Sequence, residues 1–272
     1  MAVRSCAVGC LLARFNQDHE EAIGLFIRLI QGANGILNTR YVERFIHHAA
    51  QANYAAMRDL LMEMLEAEDA EVRKVAGRQI AVAACRDEVA MNDLEELVLK
   101  GTEPIREGAA GVFAHNLNNP EFAKTCRGFL LGLFDDPSED VRKQAAECWR
   151  GLDSDQLVGE VELMERFLES EAFLQGVGGL LVELDSCVDR LPEVVLRIPE
   201  ILVRHQTDQP NGTIDHAFYN LSQLVMRLYQ QSRANSKRED REEFEARCLN
   251  VIDLLLSTDR GGMDNELRKM ER

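Results

Sequence analysis

Aromatic residues make up only 6% of this 272-residue sequence, and it carries just 18 glycines and 6 prolines. That scarcity argues against a β-sandwich or barrel, whose strands draw on aromatics and whose many turns draw on glycine and proline. Basic residues are also in deficit: 31 Lys and Arg face 47 Asp and Glu, for a net charge of −16. Nucleic acid and anionic membrane surfaces are bound by neutralising phosphate, so this balance disfavours both. The densest basic stretch, Arg233 to Arg241, interleaves Glu239 and Asp240 with Lys237 and Arg238 and reads as a solvated loop. No apolar run reaches the roughly 18 residues of a membrane span.

The seven cysteines are odd in number and sit inside apolar helical patterns rather than at framework spacings. They read as reduced thiols serving as small core residues, which places the chain in the cytoplasm. Too few residues precede Gly9-Cys10 for a secretory leader. With 46% hydrophobic and 29% charged residues, the chain has the composition of a folded, all-α protein.

One short pattern organises the sequence: an aliphatic residue, an Arg, two spacers, then small residues. It occurs at Val3-Arg4, Val72-Arg73, Ile105-Arg106 and Val141-Arg142, with Thr39-Arg40-Tyr41-Val42 as a degenerate copy. Arg4, Arg40, Arg73, Arg106 and Arg142 thus recur at about 33–36 residues. Each landmark lies early in a helix that another helix precedes. Asp18 with Glu21, Asp69 and Thr102 read as helix caps, as does Asp136 followed by Pro137 and Glu139. The unit is therefore a helical hairpin, which cannot bury both faces alone and must stack on its neighbours. The small residues Ala76, Ala109, Ala110, Ala145 and Ala146 are expected to let adjacent helices approach closely. The landmark Arg is expected to reach cap acids such as Asp69 and Asp136.

Past Trp149 the landmark fades, while helical patterns continue over 157–168, 173–184, 194–203, 217–228 and 244–256. Loops are expected over 206–213, with a Pro210-Asn211-Gly212 turn, and over 232–241. We expect one domain over 1–272, with regular repeats over 1–151 and degenerate repeats with a C-terminal cap over 152–272. The sequence opens directly on a landmark, with Val3, Ala7, Cys10 and Leu11 expected as an exposed face. This leads to the expectation that the chain is the C-terminal part of a longer polypeptide, or docks on an N-terminal domain.

The Val-Arg-x-x-Ala-Ala landmarks, with Asp-Pro-Ser-Glu-Asp before the last, resemble HEAT repeats. The implied fold is a right-handed α-solenoid, or superhelix, with a period of about 33–36 residues. The 39–45 stretch and the tail from Cys248 through Leu256 to Arg272 also resemble the C-terminal helical-repeat region of bacterial NACHT/STAND-type NTPases. That resemblance implies a partner-sensing region attached to a nucleotide switch. The sequence has no P-loop, so any NTPase activity would lie outside this chain.

Signatures of catalysis are missing. HEAT-like hydroxylases hold iron with several His-Glu pairs, whereas here only His19-Glu20 occurs. The adjacent His47 and His48 point to different sides of a helix, and Cys6 and Cys10 lack a second pair at metal-site spacing. His205 and His216 flank a loop and are not expected to be ligands. Glu160, Glu162, Glu165 and Glu169 read as a solvated face. We therefore expect no enzyme activity of the chain's own, no metal and no cofactor. The expected function is a protein-binding scaffold, with Tyr41, Arg44, His48 and Trp149 as candidate contacts; Trp149 is weighed chiefly as core. The alternatives are an accessory or lyase subunit cradling a small molecule or chromophore, and an array that only spaces other domains.

Overall fold

The apolar periodicity, broken by capping residues every dozen or so positions, produces helices throughout. The computed structural model describes residues 2–32, 34–205, 212–234 and 241–258, and these contain no strand. No helix among them is long and apolar enough to cross a membrane. The chain forms two compact units, one of residues 1–133 with 137–145 and one of 134–136 with 146–272.

In the first unit the helices are α1 (Ala2–Phe15), α2 (His19–Ile30), α3 (Arg40–Ala52), α4 (Tyr54–Leu65), α5 (Ala70–Ala84), α6 (Glu88–Asp93), α7 (Glu103–Asn116), α8 (Ala123–Leu133) and α9 (Glu139–Ala146). The landmark helices α1, α3, α5 and α7 pack on one another in succession, and α2, α4 and α6 do the same. Phe26, Phe45, Met57, Leu61, Ile80, Phe113 and Leu130 are fully buried in this unit. Asp18 accepts from Glu21 N, and Asp69 from Glu71 N, satisfying backbone donors that a helix start leaves open. The cap before α9 differs from expectation. This helix begins at Glu139, and Ser138 Oγ rather than Asp136 accepts from Val141 N at 3.4 Å. After α6 the backbone widens into a π-helical turn over Leu94–Val98.

The densest packing joins α5 to α7, and glycine makes it possible. A Cβ at Gly108 would lie 2.1 Å from Lys74 O, and one at Gly77 would lie 2.2 Å from Ile105 O. The expected alanines, Ala76, Ala109 and Ala110, are indeed buried, but these two glycines set the approach distance.

The second unit holds α10 (Ser154–Gly159), α11 (Val161–Leu168), α12 (Phe173–Leu184), α13 (Pro192–Arg204), α14 (Gly212–Ala234) and α15 (Arg241–Ser257). Here α10, α12 and α14 pack in one row, and α11, α13 and α15 in another. The helix expected over 157–168 is two helices broken at Glu160. Asp153 and Gln156 form a capping box that starts α10 early, and Gly159 ends it. Residues 206–211 and 235–240, within the two expected loops, lie outside the described residues. At the flanks of those loops, 212–213 and 232–234 are helical.

Side-chain bonds across both units keep the repeat length. Ser5 and Thr39 hydroxyls meet at 3.0 Å, His47 Nδ1 and Gln79 Oε1 at 3.1 Å, and Arg78 pairs with Glu43. In the second unit Ser154 meets Ser186 at 3.0 Å, and Arg190 meets Asp155 at 2.6 Å. Partners in these five pairs are 32–35 residues apart, the same interval that separates the landmarks.

Candidate binding surface

Four of the five landmark arginines bond backbone carbonyls in turns. Arg73 Nη1 donates to Ala67 O at 2.6 Å and Glu68 O at 2.9 Å, the carbonyls left open in the turn after α4. Asp69, its expected partner, instead caps α5 and accepts from the Asn38 amide at 3.2 Å. Arg106 reaches Gly101 O at 2.6 Å and Arg142 reaches Pro137 O at 3.2 Å, again in the turn before their own helix. Arg4 donates to Gln31 O at 3.4 Å, just past the end of α2. Arg40 is different: it opens α3 instead of lying a turn inside it, is exposed, and makes no such bond. These residues therefore fasten turns, save Arg40, which faces solvent.

Tyr41, Arg44 and His48 follow one another at three- and four-residue steps and share one exposed face of α3. Tyr41 is 49% exposed, and its ring leans over Gly9 of α1, where a Cβ would sit 3.6 Å from the ring. The His48 ring lies 6.5 Å from Phe15 and 5.5 Å from His47. Burial, then the neighbouring His47 and Arg44, hold His48 below the ordinary histidine value. Arg40 and Arg44 take part in no ion pair among the described residues, whereas Glu43 on the same helix is neutralised by Arg78. An otherwise acidic chain thus presents a local cationic and aromatic stripe.

Trp149 belongs elsewhere. It is fully buried in the second unit, 5.2 Å from the Phe167 ring and 6.4 Å from that of Phe134, with its Nε1 lacking a hydrogen-bond partner. It packs the core, the role chiefly weighed for it, and offers no exposed atom to a partner. Of the apolar face expected on α1, Val3 and Cys10 are exposed while Ala7 and Leu11 are half-buried. His205 is exposed, with its ring 6.2 Å from that of Phe173.

A polar cluster escaped the sequence reading. Asp93, at the end of α6, accepts from Tyr54 OH at 2.8 Å and from both Nε and Nη2 of Arg58, at 2.7 and 2.9 Å. The hydrogen bond from Arg58 holds the Asp93 carboxyl below its ordinary value, and burial pushes the Tyr54 phenol up. The Asp93 carboxylate and the Tyr54 hydroxyl are bonded within the cluster, which ties α4 to α6. Its signal was present, since Tyr54 and Arg58 are one helical turn apart and Asp93 follows Arg58 by 35 residues. The degenerate landmark near residue 40 blurred the register needed to pair them.

A groove of about 560 Å³ lies between the turns after α4 and after the π-helical segment, lined by Met62, Leu65, Ala67, Arg73, Leu97 and Ile105. In the second unit, a groove of about 320 Å³ is lined by Glu165, Glu193, Arg197, Glu200 and Arg247. There Arg247 is paired with Glu193, and Arg197 with Glu169. Among the described residues no group of three or more His, Cys, Asp or Glu converges to hold a metal. Comparison with protein-family models, with curated proteins and with solved structures gave no match.

Proposed function

We propose that the chain is a HEAT-like, right-handed α-solenoid acting as a cytoplasmic, non-catalytic protein-binding scaffold. In this reading it is the partner-sensing part of a larger signalling or defence NTPase. The observation that carries the binding role is the exposed stripe of Arg40, Tyr41, Arg44 and His48 on α3, with two arginines unpaired. Aromatic and Arg side chains are those most often found anchoring protein interfaces. The solenoid reading draws support from the successive packing of landmark helices and from lateral bonds one repeat long.

The small-molecule alternative rests on the groove where Met62, Leu97 and Ile105 meet Glu66, Arg73 and Thr102, of which Arg73 is already engaged by backbone carbonyls. The test compares capture of partners from a native lysate by the wild-type chain and by an Arg44→Glu, Tyr41→Ala variant. A protein held by the first and lost by the second is expected. Equal capture by both would move binding away from α3, and a co-purifying small molecule in place of protein would favour the cradle.

A further inference from the structure

Charge is spread unevenly along this chain, and the exception falls on the face that carries the binding role. Of the 47 acidic residues only Glu43 belongs to α1 or α3, whereas these two helices hold four of the 31 basic ones, Arg4, Arg14, Arg40 and Arg44. The helices pack side by side, with the Ser5 and Thr39 hydroxyls meeting at 3.0 Å and the Tyr41 ring over Gly9. Glu43 is paired with Arg78 of α5, and Arg14 with Glu21 of α2. Arg40 and Arg44 are both exposed, and neither has an ion-pair partner among the described residues.

Both arginines stand where a cation is disfavoured. They are four residues apart on one helix, so each lies in the field of the other. Arg40 also opens α3, at the helix end whose backbone dipole is positive. Two carboxylates placed over this turn would relieve both repulsions, and a guanidinium can grip a carboxylate through two parallel N–H bonds. Toward α1 the stripe turns apolar, because Tyr41 is 49% exposed and lies over a residue without a side chain.

We propose that the α3 stripe binds an acidic segment of a partner protein in extended form, with carboxylates on Arg40 and Arg44 and an apolar side chain on Tyr41. This rests on the reading of α3 as the protein-binding face. Alternate side chains of an extended chain lie about 6.6 Å apart, close to the roughly 6 Å rise between residues four apart on a helix. Two such carboxylates therefore meet the two arginines in register. A short acidic segment concentrates its charge within that one turn. A nucleic acid does not: its phosphates continue past the stripe, over a chain whose net charge is −16.

The experiment measures binding of fluorescein-labelled peptides to the full chain by fluorescence anisotropy. One peptide is glycine and serine with glutamate at alternate positions and a central phenylalanine. A second has lysine in place of each glutamate, a third has glutamine, and an oligothymidine of matched charge tests nucleic acid. Binding of the glutamate peptide alone is expected, weakened several-fold between about 50 mM and about 300 mM sodium chloride. Arg40→Glu with Arg44→Glu is expected to weaken it about tenfold or more, since two attractions become repulsions, and Arg40→Lys with Arg44→Lys is expected to fall in between. Tyr41→Ala is expected to cost about threefold. All three side chains are exposed, so circular dichroism and melting temperature are expected to stay unchanged in each variant.

Equal binding of the glutamate and glutamine peptides, binding indifferent to the charge reversal, or tighter binding of oligothymidine would overturn the proposal. Lysate capture by the Arg44→Glu, Tyr41→Ala variant reads the underlying assignment separately. A partner lost there, with no preference for glutamate among the peptides, overturns the acidic segment and leaves α3 as the binding face. Equal capture with no preference for glutamate overturns both.

Discussion

The two units keep one repeat length but pack by different means. In the first, backbone comes nearly to backbone: Gly77 and Gly108 let α5 and α7 touch, and arginines fasten the turns. In the second, Trp149, Phe134, Phe167 and Phe173 form a ring cluster that fills the space between helices. Lateral bonds about a repeat apart persist in both, as Lys74 with Glu107 and Gly151 with Glu183 illustrate. A repeat length is thus set by the hairpin's length, while the spacing between helices can be met by removing side chains or by enlarging them.

The contrast can be broken most severely at Trp149. Trp149→Ala should cost about 3–5 kcal/mol, read as a lowered denaturant midpoint, because it empties a site bordered by the Phe134 and Phe167 rings. Trp149→Phe should lose far less, since it also removes an indole N–H that has no partner. Gly108→Ala should cost about 2 kcal/mol despite the better helix propensity of alanine, because its Cβ would meet a carbonyl oxygen that cannot move alone. Its counterpart Gly176→Ala should cost a similar amount, since its Cβ would lie 2.6 Å from the Ala146 Cβ and 2.8 Å from Ala146 O.

Asp93→Ala should destabilise the first unit by about 1–3 kcal/mol by stranding the buried Tyr54 hydroxyl. The acid limb of a pH-stability profile tests the same cluster. The Asp93 carboxyl is held low when folded, so its contribution is complete above the unfolded value of about 3.9 and fades as pH falls through the folded value. Asp93→Asn should flatten that limb. The smallest effect sharpens the comparison in the opposite direction. Gly128→Ala in α8 and Gly178→Ala in α12 meet open space and should each stabilise by about 0.5–1 kcal/mol. A loss at either would mean that close approach is not confined to the positions named.

Much of this was legible from spacing alone. The helices, their caps at Asp18 and Asp69, and α12 from Phe173 to Leu184 follow from apolar periodicity and local capping chemistry, which act within a few residues. Tyr41, Arg44 and His48 could be placed on one face because helical spacing is fixed. The break at Glu160 was missed because an apolar pattern can run across two short helices without revealing their boundary. The shift of the α9 cap to Ser138 was missed because Asp135, Asp136 and Ser138 are all able to cap and stand within four residues.

What the sequence determined by itself was therefore the all-helical character, the hairpin and the repeat length, each a consequence of short-range pattern and backbone geometry. Only tertiary structure decided which small residues touch, that Arg73 serves carbonyls instead of Asp69, and that Tyr54, Arg58 and Asp93 meet. It likewise decided that Trp149 is core. Those outcomes depend on distances between helices separated by a whole repeat, and such distances are fixed by how side chains fill the space between them.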